Sequence, residues 1–364
     1  MALIDILLKG DVSFVNELSR RRSSKCCELY TRHALDIEKL VDPGKQITRY
    51  VHIPRIVSVG ETSADFTLAE DGKVGDASQE VLVNLCNYIS NNPQFFEGKK
   101  SFGGIVVHPD LDCCNVLEKS RKAYLDTACQ RLIEVISKID PKILLLIENN
   151  PLYPTLIGRN EAVCRTPGEA YDILSRISGD SDRVGFVLDI EHAYKTALSL
   201  PIYDTVLDLF RRKSPREASE EAARIFKAHI KDTDITHKAN GLIAEFLQKL
   251  SGNLSLLHVS GYDPLADDLS EGRYYGSHLP PGYSGASLKE NSPSSLEVND
   301  MIDHGFYAEK CELLSNPIDI VLEFDYPKDC NNLRLAFNSL KKYKEMIKKP
   351  KTDYYQIKHP NILV

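Results

Sequence analysis

Eight short apolar runs punctuate the chain: "ALIDILL" (2–8), "CCELYT" (26–31), "RYVHIP" (49–54), "GGIVVHP" (103–109), "ILLLIEN" (143–149), "VGFVLDI" (184–190), "LSLLHVS" (254–260) and "IDIVLEF" (318–324). Most are nearly continuous rather than alternating, the pattern of parallel strands buried on both faces. Amphipathic stretches lie between them. Residues 116–139 place apolar side chains at three- and four-residue steps, and residues 217–230, 237–250 and 330–347 do the same. The stretch 166–177 opens with Thr166, Pro167 and Glu169, which suits an N-cap, a first turn and an acidic start. Strand–helix alternation repeated eight times predicts an α/β chain closed into a (β/α)8 TIM barrel. An open doubly wound sheet is the alternative, but no Gly-x-Gly-x-x-Gly follows any strand, so no nucleotide cofactor is expected.

One stretch breaks the rhythm. Residues 263–298 are rich in Gly, Pro, Ser and Tyr and carry no helical period. A loop of that length in a compact domain is usually functional, and it follows the seventh strand, at the end where barrel active sites form. The expected organisation is one barrel over residues 1–350 with this insertion, followed by a tail over 351–364.

The strands end on polar groups. The third ends on His52, the fourth on His108 and the fifth on Glu148. The sixth carries Asp189 with His192 behind it, the seventh His258 and the eighth Glu323, while His278 sits in the long loop. Six successive strands therefore deliver an imidazole or a carboxylate to one barrel mouth. Such carboxylates cannot all stay ionised in a poorly hydrated cavity without compensating positive charge, which metal cations supply. Imidazole with carboxylate favours zinc, or manganese or iron.

Composition narrows the picture. Of 364 residues, 42% are hydrophobic and 27% charged, enough for a large core. Net charge is -7, so no whole-molecule basic field exists for nucleic acid, although Lys/Arg clusters at 20–22, 211–213 and 341–351 could form local patches. Nine Cys without a Cys-x-x-Cys, and no leader-like start, suggest reduced thiols in a cytoplasmic or nuclear compartment rather than secretion. No apolar run approaches the roughly 18 residues of a membrane helix.

The same residues resemble a known family. "VVHP", "IEN", "VGFVLDIEHAY", "LHVS" and "VLE", in this order, together with "HLPPGYSG", are similar to motifs of the xylose-isomerase-like barrel superfamily. They look most like the endonuclease IV type of apurinic/apyrimidinic endonuclease (AP endonuclease family 2), and the likeness spans nearly the whole chain. It implies a zinc-dependent hydrolase of DNA repair that cuts the phosphodiester 5′ to abasic sites in double-stranded DNA, acting as a monomer with two or three zinc ions. By the resemblance, His52, His108 and Glu148 hold one ion. Glu148 bridges to a second, bound also by Asp189, His258 and Glu323, and His192 and His278 serve a third. Glu148 and Glu323 are the expected catalytic residues, with Arg55 and Arg273 as backbone contacts.

The chain also departs from the family. The first strand lacks His-x-Ser, Ser260-Gly261 stand where Asn-Asp is frequent, and Arg55 replaces a Tyr. Gly276 replaces the Asp of the third zinc set, leaving Asp267, Asp268 or Glu271 to complete it. Two other functions fit this divergence. A sugar isomerase or epimerase of the same superfamily would use Glu148, Asp189, His258 and Glu323 around a single metal, and a non-catalytic scaffold would use none of them.

Overall fold

The computed structural model describes residues 6–20, 27–31, 33–40, 48–96, 102–110, 114–179, 182–232, 235–262, 264, 278–279, 302, 306–307, 310–311, 318–323, 337–341, 343–344 and 347. Most of the 263–298 loop, including Arg273 and Gly276, and the whole 351–364 tail lie outside this set. The strands are β1 (Ile6–Gly10), β2 (Cys27–Tyr30), β3 (Thr48–His52), β4 (Ile56–Val59), β5 (Thr62–Asp65), β6 (Gly104–Val107), β7 (Leu145–Glu148), β8 (Val184–Asp189), β9 (Leu254–Val259) and β10 (Asp319–Leu322). Eight of them close into a barrel in the order β1-β10-β9-β8-β7-β6-β3-β2, and every pair is parallel. β4 and β5 form a separate antiparallel hairpin.

These barrel strands coincide with the eight apolar runs, with one displacement. The first strand runs on through Lys9 and Gly10, past the end of the apolar stretch at Leu8, because the Lys9 charge is paired inside the barrel. The helices are α1 (Val12–Arg20), α2 (Lys73–Ser90), α3 (Arg121–Lys138), α4 (Pro167–Ser178), α5 (Ile190–Ser199), α6 (Tyr203–Arg212), α7 (Pro215–Asp232) and α8 (Ile235–Leu250). α4 opens as expected, with Thr166 Oγ1 accepting from the Glu169 backbone N–H. α3 starts later than its apolar pattern, because Ser120 caps it and accepts from Ala123 N–H. The last amphipathic stretch is helical at 337–341 and 343–344.

Side chains alternate across each strand with a period of two. On β7, Leu145 and Ile147 join the large outer core beneath the helices, whereas Leu146 faces the barrel axis. The same parity sends Leu7, Tyr50, Val106, Val187, Leu256 and Val321 inward, and these pack with Leu146 into a compact interior plug. Gly185 belongs to this plug level, and a Cβ there would lie 2.7 Å from Leu146 Cδ2. Glycine at that point lets Leu146 fill the axis. The described cysteines, Cys27, Cys86, Cys114, Cys129, Cys164 and Cys311, are reduced and buried in the outer layer. Among the described residues no helix is long and apolar enough to cross a membrane.

A charged cluster anchors the loops behind β6 and β7. Arg121 at the start of α3 reaches Glu161 at 2.9 Å and Glu169 at 2.8 Å, and Arg165 holds Glu161 at 2.6 Å. Burial works to raise the Glu169 carboxyl, but Arg121 and Arg165 hold it below its ordinary value of 4.5. A depressed carboxyl stabilises the fold above its unfolded value, and that contribution is lost as pH falls through the folded value. Glu169→Gln is therefore expected to cost roughly 1.5–3 kcal/mol near neutrality. In urea titrations at stepped pH, the gap between native and variant protein should narrow once the pH drops below 4.5.

Candidate metal centre

One step towards the carboxyl ends of the strands, the same inward parity places a polar layer on top of the plug. Leu7 is followed by Lys9, Tyr50 by His52, Val106 by His108, and Leu146 by Glu148. Val187 leads to Asp189, Leu256 to His258 and Val321 to Glu323, while β2 supplies Glu28. Each of the eight barrel strands thus contributes one ionisable group at the mouth. The apolar runs of the sequence disclose six of them. Lys9 and Glu28 are the additions; two-residue spacing from inward-facing Leu7 signals Lys9, and register beside Lys9 and Tyr50 marks Glu28.

Glu148 is the hub, only 1% exposed. Its Oε2 lies 3.2 Å from His52 Nε2 and 3.3 Å from His108 Nε2, and its Oε1 lies 3.0 Å from His258 Nδ1. His258 Nδ1 is also 3.1 Å from Glu323 Oε2, and His258 Nε2 is 2.8 Å from Glu28 Oε2. Lys9 Nζ sits 2.8 Å from Glu323 Oε1 and 3.3 Å from Glu28 Oε1. Two sets of ligand atoms fall within 4.8 Å of one another, His52–His108–Glu148 and Glu148–Asp189–His258–Glu323, and they share Glu148.

Local backbone chemistry sets these positions. Asp189 is the N-cap of α5, its Oδ1 accepting from His192 N–H at 2.8 Å, which leaves Oδ2 for the cluster. The "ENN" turn after β7 braces this junction. Asn149 exchanges two hydrogen bonds with the Asp189 backbone, accepting at 2.7 Å and donating at 3.0 Å, and its carbonyl lies 2.7 Å from His192 Nδ1. Asn150 donates to the Val163 carbonyl at 2.8 Å. Asn149 stands in the "IEN" motif, but nothing in the sequence shows what either asparagine does, because an amide that ties backbone to backbone has no period.

His192 and His278 face each other with ring centroids 6.0 Å apart. His278 adopts a left-handed φ of 47° and is held by Glu191, which accepts from its backbone N–H at 2.7 Å and lies 3.3 Å from Nδ1. Glu191 also pairs with Lys195 and with the Ser260 hydroxyl. The third ligand set expected by resemblance therefore has both imidazoles in proximity, with Gly276 and its acidic neighbours outside the described residues. Arg55 opens the β4–β5 hairpin, where its guanidinium turns to Asp65 at 3.4 Å.

The electrostatics favour a cation. Burial works to raise Glu148, yet His108 and His258 hold it well below the usual carboxylate range. Burial likewise opposes ionisation of Glu323, but Lys9 and His258 keep it well below that range. Burial pushes His108 down to about 3 against the pull of Glu148, so its imidazole is neutral, the form that binds metals. Burial would lower His258, but Glu148 and Glu28 raise it well above the ordinary histidine value. Burial raises Asp189, with Glu148 and Glu323 adding to the effect against His192. Burial would lower Lys9 too, but Glu323 and Glu28 lift it above the usual lysine value. Among the described residues, four carboxyl groups (Glu28, Glu148, Asp189, Glu323) thus face the Lys9 ammonium and the His258 ring in this layer, an excess of negative charge that suits a divalent cation held by oxygen and imidazole donors.

No protein-family model matches the sequence, and no curated protein matches it. Solved structures do. A protein of Rhodospirillum rubrum named for xylose isomerase is 10% identical over 95% of this chain and 99% of its own, with a TM-score of 0.55. A xylose isomerase domain protein of Alicyclobacillus acidocaldarius is 9% identical over 94% and 98%, with a TM-score of 0.50. A D-tagatose 3-epimerase-like protein is 15% identical over 93% and 83%, with a TM-score of 0.46. At such identities the likeness shows a shared fold, the TIM barrel.

Proposed function

We propose that this protein is a metal-dependent isomerase or epimerase that moves a proton at the carbon next to the carbonyl of a small polyhydroxylated substrate. The observation that carries this reading is the convergence of Glu148, Asp189, His258 and Glu323, from four adjacent strands, within 4.8 Å at the barrel mouth. The two similar structures with TM-scores of 0.55 and 0.50 are both named for xylose isomerase, which supports the same class. Glu148, Asp189, His258 and Glu323 would hold the cation, whose chemistry is to polarise the substrate carbonyl and acidify the neighbouring C–H.

The chain's own groups account for the rest. Glu323, 18% exposed against 1% for Glu148, is the carboxylate that a substrate in the mouth can reach. Lys9 keeps it ionised, and therefore in the proton-accepting form, across the neutral range. Glu148, beneath it, holds the layer together through three imidazoles. His192 and His278 stand at the rim, where ring N–H groups can donate to substrate hydroxyls.

A second reading has one observation in its favour. His52, His108 and Glu148 form a further ligand set that shares Glu148 with the first, and a one-metal isomerase has no general need for it. Two cations sharing a carboxylate suit phosphodiester hydrolysis, including cleavage beside abasic sites in DNA. One pair of assays separates the two readings. Chelator-stripped protein reloaded with Zn2+, Mn2+ or Mg2+ is incubated with aldoses and ketoses in D2O, and in parallel with duplex DNA carrying one abasic site. The isomerase reading predicts cation-dependent deuterium incorporation at the carbon next to the carbonyl, without nicking. Chelator-sensitive nicking without exchange would overturn it.

Two variants sharpen this expectation. Glu323→Gln should slow the exchange about 10²–10⁴-fold at saturating cation, the usual contribution of a positioned base. Glu148→Gln removes the charge common to both ligand sets. Competition titration with a chromophoric chelator should show its cation affinity reduced by more than about 100-fold, beyond what loss of an outer-shell partner causes.

A further inference from the structure

β2 brings a carboxylate to the mouth that the proposed chemistry does not use. Glu28 is 0% exposed and faces the barrel axis. Its Oε2 lies 2.8 Å from His258 Nε2, and its Oε1 lies 3.3 Å from Lys9 Nζ. The opposite nitrogen of the same imidazole, Nδ1, faces Glu148 at 3.0 Å and Glu323 at 3.1 Å. The ring is wholly buried and stands between Glu28 on one side and the candidate ligand carboxylates on the other.

Neutral imidazole has one N–H and one lone pair, and which nitrogen carries which is set by the partner of the other. An ionised carboxylate only accepts. With a cation taking the place of the second proton and Glu28 against Nε2, the remaining proton belongs on Nε2 and the lone pair on Nδ1, the nitrogen that faces Glu148 and Glu323. Lys9 completes the arrangement. Its ammonium engages Glu28 Oε1, which directs Oε2 at the ring, and it engages Glu323 Oε1, which leaves Oε2 facing His258. A charged pair buried this deeply stabilises a fold little compared with apolar residues of the same volume. What it supplies is one orientation of the ring.

We propose that Glu28 is a positioning residue that fixes His258 with Nε2–H donated to its carboxylate and Nδ1 presented to a divalent cation. The proposal rests on reading the four-residue set as a cation site, and it adds a residue that touches neither cation nor substrate. Carboxylate partners of metal-bound histidines typically contribute 10–100-fold to affinity.

Two measurements test it. In long-range ¹H–¹⁵N spectra of the chelator-stripped native protein, labelled at histidine, Nε2 of His258 should carry a slowly exchanging proton. That proton should persist when Zn2+ is added, while Nδ1 takes the shift of a ligating nitrogen. In competition titrations with Zn2+, Glu28→Gln should bind 10–100-fold more weakly than native protein, with Asp189→Asn as a control for the site itself. An Nε2 without a proton overturns the proposal, as does unchanged Zn2+ affinity in a folded Glu28→Gln protein when Asp189→Asn has lost it. If native protein bound no divalent cation, the proposed function would fall; if it bound Zn2+ through His258 without a proton on Nε2, only the role of Glu28 would. The spectra need no variant, so a Glu28→Gln chain that fails to fold leaves them decisive.

Discussion

A closed barrel of parallel strands permits each strand two directions for its side chains, and the two-residue period commits every position to one of them. Here that constraint governs both core and site. The parity that sends Leu146 into the plug sends Glu148 into the mouth, and the same holds for Val187 and Asp189, Leu256 and His258, and Val321 and Glu323. A register slip of one residue in any strand would exchange its polar group for an apolar one and break the plug at the same time. Stability of the plug and geometry of the polar layer are therefore two consequences of one alignment.

The cost of that alignment is a buried layer dense in carboxylates. Part of the compensation is internal. Lys9 lies between Glu28 and Glu323, and His258 between Glu28, Glu148 and Glu323. Among the described residues the remaining negative charge has no ammonium partner within the layer, and a divalent cation is the fitting complement. A parallel arrangement stands at the rim, where Glu191 gathers Lys195, Ser260 and His278. Cations of the protein and cation ligands are thus interleaved, so charge removed at one position is felt at its neighbours.

Much of the barrel was legible in the sequence because strands buried on both faces leave unbroken apolar runs, and the polar residues that end them stand out against that background. Other features were hidden for identifiable reasons. α5 is buried on every side from Ile190 to Ser199, so it shows no amphipathic period. The β4–β5 hairpin is short and largely exposed, with Thr62, Ser63 and Asp65 in its second strand. Lys9 was hidden because a charged residue ends an apolar run on paper, although in the barrel it continues the strand. Glu28 sits inside "CELY", where only its parity with the neighbouring strands marks it as inward-facing. Arg55 is exposed. It stands after a strand-end histidine, at the start of a hairpin in which its guanidinium lies 3.4 Å from Asp65.

The polar layer as a cation site is the claim from which the rest follows. Its most direct test is diffraction from crystals grown with Mn2+, collected on either side of the manganese absorption edge. An anomalous peak within bonding distance of Glu148, Asp189, His258 Nδ1 and Glu323 is the predicted result. Manganese bound only elsewhere, with Lys9 and these four side chains paired as they are here, would contradict the account.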